Sequence, residues 1–303
     1  MRFDVPILLL AFNRPNQTRR VFDAIKDVMP SKFYFAVDGP REGREEEAVL
    51  CQTVRTTVLD NINWDCEVKT LFREKNLGCK YAVSSAISWF FDNEPEGIIL
   101  EDDCLPDPSF FPFCAELLEK YRHDDRIMMI SGDNYQKDKL RSDYSYYFTR
   151  YNQIWGWASW RRVWNLYDVE MTLLPEILEK GYLNDIFKDK VAARKWENTF
   201  KKVQSGNQDT WDYQFTFACL IHAGLCINPS ANLISNIGFD TDATHTSAAT
   251  HQWANMATIP MQFPLRHPPY MIRDEKADYF DEKNAFHPQL SVRIKNKIRE
   301  ILA

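Results

Sequence analysis

The stretch Gly97-Ile98-Ile99-Leu100-Glu101-Asp102-Asp103-Cys104-Leu105-Pro106-Asp107-Pro108 decides how this chain is read. Residues 97–100 are small or apolar and read as a buried strand, since a strand covered on both faces needs no polar alternation. Three acids follow at its end. They cannot all point one way on an extended chain, because successive side chains alternate between faces. One or two of them reach a cleft, where a cation offsets their mutual repulsion. Oxygen ligands suit Mg2+ or Mn2+, whereas zinc would draw His or Cys. A divalent cation at a strand end is the simplest device for holding a diphosphate, which points to a site for a sugar nucleotide. The competing reading is a solvated acidic loop. The strand before the acids, and Pro106 and Pro108 fixing the exit, weigh against it.

Outward from this stretch, strand and helix patterns alternate. Residues 5–11 are a continuous apolar run, a central strand broken by Asn13-Arg14-Pro15-Asn16. A helix is expected over 17–28, with Val21, Phe22, Ile25 and Val28 on one face. A strand over 33–37 ends at Asp38-Gly39-Pro40, and the charged run 42–47 reads as exposed. A helix over 49–59, a strand over 68–72, a turn at Asn76-Leu77-Gly78 and a helix over 80–91 lead to the strand that ends in acids. This alternation predicts an α/β fold with a mixed, mostly parallel sheet flanked by helices. Asn13, Arg14, Asp38 and the acid triplet all fall at carboxyl ends of expected strands, where open α/β sheets bind ligands.

Further on, residues 110–121 read as a helix and 127–131 as a strand. Residues 144–149 are aromatic, 173–205 and 210–223 carry helical patterns, and 234–252 reads as a long polar loop. Trp160 and Trp164, four apart, are expected to share a helical face toward the core.

At 303 residues the chain can hold one large α/β domain or two smaller ones. Its net charge of -6 argues against a general nucleic-acid binder, which carries a basic footprint. Aromatic residues make up 14% of the chain, enough both to fill a core and to stack on sugar rings or bases. The seven cysteines lack zinc-knuckle spacing; Cys219 and Cys226 read as core fillers, and a reducing compartment is expected. Neither a signal peptide nor a membrane-spanning run is visible, so a cytoplasmic catalyst is expected. The tail 290–303 is a basic amphipathic pattern. It reads either as a packing helix or as a peripheral contact with the inner membrane surface.

The segment Ile99-Leu100-Glu101-Asp102-Asp103, followed by Pro106-Asp107-Pro108-Ser109-Phe110-Phe111, resembles the Glu-Asp-Asp form of the DXD motif of GT-A glycosyltransferases. The nearest likeness is to the N-acetylglucosaminyltransferase I type and to related bacterial transferases. The opening Pro6-Ile7-Leu8-Leu9-Leu10-Ala11-Phe12-Asn13-Arg14 is similar to that family's first strand and nucleotide contact. The resemblance covers about residues 4–250. It implies a GT-A (Rossmann-like) catalytic domain over 1–260, with a nucleotide-sugar-binding half over 1–130 and an acceptor-binding half over 131–260. Residues 261–303 are then a C-terminal extension.

What the resemblance implies for single residues is as follows. Arg14, with Asn13 beside it, would contact the uridine or its phosphates, Asp38 the uracil ring, and Lys80 the nucleotide. Asp103 would ligate Mn2+ or Mg2+, Asp102 would hold donor hydroxyls, and Glu101 would support both. Ile154-Trp155-Gly156-Trp157 resembles the acceptor side of the family's cleft, implying Trp155, Gly156 and Trp157 as acceptor contacts. Gln208-Asp209-Thr210-Trp211-Asp212-Tyr213-Gln214 resembles the Trp-Asp segment that carries the base of inverting enzymes. The family has two adjacent acids after its Trp; here Tyr213 follows Asp212, so Asp212 is the expected base and Asp209 the reserve. Asp209 could instead cap the helix beginning near Thr210. His245 falls where the family has a loop that orders over the nucleotide.

The implied activity is transfer of a sugar, such as N-acetylglucosamine or another hexose, from a UDP-sugar to a hydroxyl of a glycan or glycolipid. Two other classes stay open. A sugar-nucleotide nucleotidyltransferase also places acids at strand ends, but it opens on a Gly-rich loop, and Phe12-Asn13-Arg14-Pro15-Asn16 holds no glycine. A non-catalytic carbohydrate-binding protein would account for the aromatics and not for the acids.

Overall fold

A computed structural model describes residues 3–136, 141–239 and 253–286. Two of the features read from the sequence, His245 and the tail 290–303, lie outside the described residues.

The apolar run near the start forms β1 (Ile7–Ala11), and the chain turns into α1 (Pro15–Val28). Pro15 opens this helix, two residues before the expected start, because proline at the first helical position lacks only an N–H that has no partner there. β2 (Lys32–Val37), α2 (Glu45–Leu59), β3 (Glu67–Phe72), α3 (Gly78–Asn93) and β4 (Glu96–Glu101) follow. α2 takes in half of the charged run expected to be exposed. Glu45, Glu46 and Glu47 sit in its first turn, where acids face the positive end of the helix dipole. Glu47 is buried, bonded to the Arg41 backbone N–H at 3.0 Å.

β5 (Cys104–Pro106) directly follows the acids, then come α4 (Phe110–Tyr121), β6 (Ile127–Ser131) and β7 (Tyr146–Thr149). β8 (Trp157–Trp160) ends at Trp160 and α5 (Arg161–Trp164) begins after it, between the two tryptophans expected on one helical face. Trp160 and Trp164 therefore do not share a helical face, though both are buried. Alternation in β8 sends side chains to both faces of a sheet interior, so a run of bulky residues packs as well there as on a helix. α6 (Leu174–Glu179), α7 (Leu183–Ile186), α8 (Lys190–Gln204), α9 (Asp212–Ile221), β9 (Leu225–Pro229), β10 (Ile234–Asn236) and α10 (Glu275–Asp281) complete the order.

The main sheet has eight strands in the order β3-β2-β1-β4-β8-β6-β9-β7. β3, β2, β1 and β4 are parallel, and β8 enters antiparallel between β4 and β6. The fold is thus α/β with a mixed sheet flanked by helices, its first half Rossmann-like. Register places Leu10 beside Glu101 and Ala11 beside Val37. The carboxyl ends of β1, β2 and β4 are thereby brought level, so their end residues share one edge. β10 pairs antiparallel with β5, laying Asn236 on Cys104 and closing the chain over the acid triplet.

The segment after residue 260 packs against the main core. Met261 and Leu265 are buried in the main core, and Phe148 bridges to Arg273 across β7. Asp278 accepts from Thr149 Oγ1 at 2.6 Å, and Glu282 accepts from Trp196 Nε1 at 2.9 Å. All seven cysteines are free, with Cys219 and Cys226 buried as expected.

Candidate active site

A cavity of about 710 Å³ lies along the shared strand edge. On one side its wall is Phe12 and Arg14 after β1, Asp38 after β2, Arg73 after β3, and Gly78 and Cys79 opening α3. The acids of β4 form its floor. The rest of the lining comes from residues 152–155, residues 208–213 at the start of α9, and Asn236, Gly238, Phe239 and Trp253.

The three acids are held differently. Asp102 is buried, takes the Arg14 guanidinium on one oxygen, and accepts the Phe12 N–H on the other at 3.3 Å. Asp103 accepts from the same Arg14 Nη2 at 3.0 Å. Its carbonyl accepts the Ile237 N–H at 2.8 Å. Gly238 packs directly on its carboxylate, and a Cβ there would stand 2.2 Å from Asp103 Oδ2, which requires glycine. Glu101 is half-buried.

One arginine does not neutralise this cluster. Burial, then Asp103 and Asp102, push Glu101 up to about 8 against the pull of Arg14. Burial lifts Asp102 to about 6, with Asp103 adding to it and Arg14 opposing. Burial works to lower the Arg14 pKa, yet the two carboxylates carry it above the ordinary arginine value. Surplus negative charge in an all-oxygen floor suits a hard divalent cation. Among the described residues no group of three or more His, Cys, Asp or Glu side chains is arranged to hold a metal by itself.

Asp212 is the first residue of α9, lines the cavity and accepts from the Thr210 hydroxyl. Glu101 lines the same cavity, and the charge of Asp212 adds to the raised pKa of Glu101. Trp211 before it is a core residue, stacked on Trp157 at 5.7 Å, and anchors the helix start. Thr216 Oγ1 has one proton for two acceptors, Asn152 Oδ1 at 2.7 Å and the Asp212 carbonyl at 3.1 Å.

Asp209 also lines the cavity, but its carboxylate accepts the backbone N–H groups of Cys79 and Lys80, each at 2.9 Å. It caps α3, whose own N-cap residue Leu77 offers no side-chain acceptor. The cap anticipated in the sequence exists on a different helix. Gly78 at φ +75° makes room for it, since a Cβ would stand 2.7 Å from Asp209 Oδ2.

At the other end Asp38 accepts from Gly39 N at 2.9 Å, Leu77 N at 3.1 Å and Asn76 Nδ2 at 2.8 Å. Burial outweighs these bonds and raises its pKa. Lys80 is absent from the cavity wall: its ammonium lies 3.0 Å from Glu170 Oε1. Asn13 stands between two wall residues and is not itself in the wall.

The expected acceptor contacts divide in the same way. Trp155 lines the cavity. Trp157 is fully buried among Trp164, Trp211 and Phe215 and does not reach it. Gly156, at φ +64°, packs under Ile234, where a Cβ would meet Ile234 Cδ1 at 2.6 Å. Neither is in the cavity wall; Trp157 opens β8, which runs through the middle of the sheet.

Several wall residues went unread in the sequence: Tyr135, Asn152, Gln153, Phe239, Trp253 and Phe286. Tyr135 meets Trp155 edge-on at 5.6 Å and Trp253 at 4.7 Å, and Phe239 meets Trp155 at 5.7 Å. Asn152 and Gln153 immediately precede the quoted Trp segment, and that adjacency was the available signal. Tyr135, Phe239 and Trp253 come from distant loops, and Phe286 from a π-helical turn after α10.

No protein-family model matches this chain, and no curated protein matches it. Among solved structures, the inositol-1-phosphate CTP transferase from T. maritima is similar at 13% identity over 55% of this chain and 74% of that chain, with a TM-score of 0.29. Mouse xyloside xylosyltransferase 1 in its apo form is similar at 10% identity over 72% and 81%, with a TM-score of 0.33. A UDP-glucose pyrophosphorylase complexed with UDP-glucose is similar at 10% identity over 50% of this chain and 64% of that chain, with a TM-score of 0.26. Likeness at these scores carries no argument about activity.

Proposed function

We propose that this chain is a nucleotide-sugar enzyme and, within that class, an inverting, metal-dependent glycosyltransferase that moves a sugar from a UDP-sugar to a hydroxyl of a glycan or glycolipid. The observation that carries this reading is one cavity with Arg14, Asp102 and Asp103 on its floor and Asp212 at its far side. Mn2+ or Mg2+, held by Asp103 and phosphate oxygens, would neutralise the diphosphate as it departs. Arg14 would turn from its carboxylate partners toward the same phosphates. Asp38, at the end of β2, would accept an N–H of the base. Asp212 would take the proton of the attacking hydroxyl, a role that calls for a carboxylate within reach of the acceptor. Asp209 and Lys80 are given no chemical role, since a helix cap and an ion pair already occupy them.

Among the described residues no helix is long and apolar enough to cross a membrane. A cytoplasmic site of action is proposed with the activity.

Product analysis tests the reading. Full-length protein with Mn2+ and a panel of UDP-sugars should release UDP. Release of pyrophosphate from UTP and a sugar 1-phosphate would instead establish the nucleotidyltransferase alternative. Binding of saccharide without nucleotide turnover would establish a carbohydrate-binding protein.

A further inference from the structure

A second cavity, of about 250 Å³, shares no lining residue with the one that holds the acids. Tyr135 and Ala285 line the larger cavity, while their chain neighbours Gln136 and Asn284 line this one. The smaller cavity differs in charge from the acid floor and from the chain as a whole, whose net charge is -6. Arg141, Lys276 and Lys283 bring three cations to its lining, and Asp274 brings the one acid. That acid is already engaged. It lies 2.8 Å from Arg141 Nη2, and its carboxylate accepts the Lys276 and Ala277 N–H groups at 3.0 and 3.1 Å. Glu275 is drawn elsewhere, to Lys188 at 3.0 Å and Arg273 at 2.8 Å. Asp281, bonded to Gln136, is fully buried, and burial lifts its pKa well above the usual carboxylate range. Among the described residues neither Lys276 nor Lys283 is in an ion pair. The Lys283 ammonium meets the neutral Tyr279 hydroxyl and lies 3.9 Å from the centroid of that ring.

We propose that this cavity binds a small phosphate monoester, its dianion held between the Lys276 and Lys283 ammonium groups beside the Arg141 guanidinium, and its carbon part set against Tyr279 and Phe280. Lysine presents a point charge to phosphate oxygens, and hydrogen bonds between such charged partners are about twice as strong as neutral ones. Two ammonium groups without an acid partner match a dianion; a monocarboxylate would leave one of them unmatched. The volume lies just below the roughly 300–1,000 Å³ of sites for drug-sized ligands, so it suits a small headgroup. The Tyr279 and Phe280 rings in the lining call for carbon next to the phosphate. A soluble ester and the headgroup of a phosphatidate membrane offer this same chemistry. Either would join Arg141 to residues 276–283 across the cavity and stabilise the docked C-terminal segment, since a ligand bound only by the folded state favours that state. The site is independent of the proposed donor half: none of Glu101, Asp102, Asp103 and Asp212 lines it.

The test uses full-length protein at constant ionic strength. One arm titrates glycerol 3-phosphate, with glycerol as the uncharged counterpart, by calorimetry and thermal unfolding. The other floats the protein with vesicles of phosphatidylcholine and phosphatidate in equal parts, against phosphatidylcholine alone. Lys276→Gln combined with Lys283→Gln should weaken binding at least tenfold. Lys120→Gln combined with Lys202→Gln removes the same charge from exposed positions outside the lining and should leave binding as in the wild type. Binding of glycerol 3-phosphate, with a raised melting temperature that the first double variant loses, assigns the site to a soluble ester. Phosphatidate-dependent flotation lost in that same variant assigns it to a lipid headgroup. The proposal is overturned if neither probe binds, if glycerol binds as tightly as its phosphate, or if whatever binds does so equally in the first double variant. Equal loss in the second double variant also overturns it, since net charge and not this cavity would then be responsible.

Discussion

Asp209 Oδ1 lies 2.9 Å from the backbone nitrogen of Lys80, 129 residues earlier in the chain. This bond joins the segment that begins α9 to the helix that follows β3, and so fixes the two walls of the cavity against each other. The Asp209 carboxylate is occupied by N–H donors, and the Lys80 ammonium turns to Glu170.

Asp209→Ala should lower stability by about 0.5–2 kcal/mol, the range for loss of a helix cap. Chemical denaturation measures it. Turnover should fall less than in Asp212→Asn, and Asp209→Asn should recover part of the stability. A loss of turnover equal to that of Asp212→Asn at unchanged stability would restore Asp209 as the base.

Asp212→Asn should keep UDP affinity and lower the rate of sugar transfer by about 10²–10⁴-fold, the usual worth of a positioned acid–base group. Asp103→Ala should abolish the dependence of UDP binding on Mn2+. Isothermal titration with and without the metal separates the two, and full transfer activity in Asp103→Ala would sink the metal assignment.

Asp133 sets a pH dependence away from the acid floor. It is fully buried, Oδ2 accepts the Trp155 N–H at 3.0 Å, and Oδ1 has no internal partner. Burial raises its pKa well above the usual carboxylate range. A carboxyl whose folded pKa exceeds its unfolded value binds its proton more tightly when folded. Its contribution is complete below about pH 4, near the unfolded pKa, and declines as pH rises toward the folded value. Asp133→Asn should flatten that decline in the melting temperature between pH 4 and 8. An unchanged slope would show that Asp133 does not titrate in this window.

Trp157→Ala should cost about 3–5 kcal/mol through the cavity left among Trp164, Trp211 and Phe215, with expression falling before any specific effect on sugar binding. Gly156→Ala should also destabilise, because φ is +64° and Ile234 fills the space a Cβ would take. Thermal unfolding reads both. A stable Trp157→Ala protein deficient only in acceptor binding would return Trp157 to the site.

Local pattern was enough for the donor half of the cavity. Arg14, Asp38 and the acids of β4 each end a strand whose apolar run is legible by itself, and parallel strands in register bring such ends to one edge. The far half could not be read that way. Tyr135, Phe239 and Trp253 sit in separate loops, and only the pairing of β10 with β5 brings the latter two over the acids. Phe286 reaches the wall because buried Asp278 and Asp281 dock the C-terminal segment on Thr149 and Gln153.

The sequence by itself determined the α/β alternation and the position of the acids, because hydrophobic periodicity and strand-end polarity are local properties. Tertiary structure alone decided which of two nearby aspartates caps a distant helix. Asp209 and Asp212 look alike in the chain, separated by Thr210 and Trp211. The difference arises where Asp209 meets the N-terminus of α3, whose unpaired N–H groups claim its carboxylate, while Asp212 faces the cavity with Glu101.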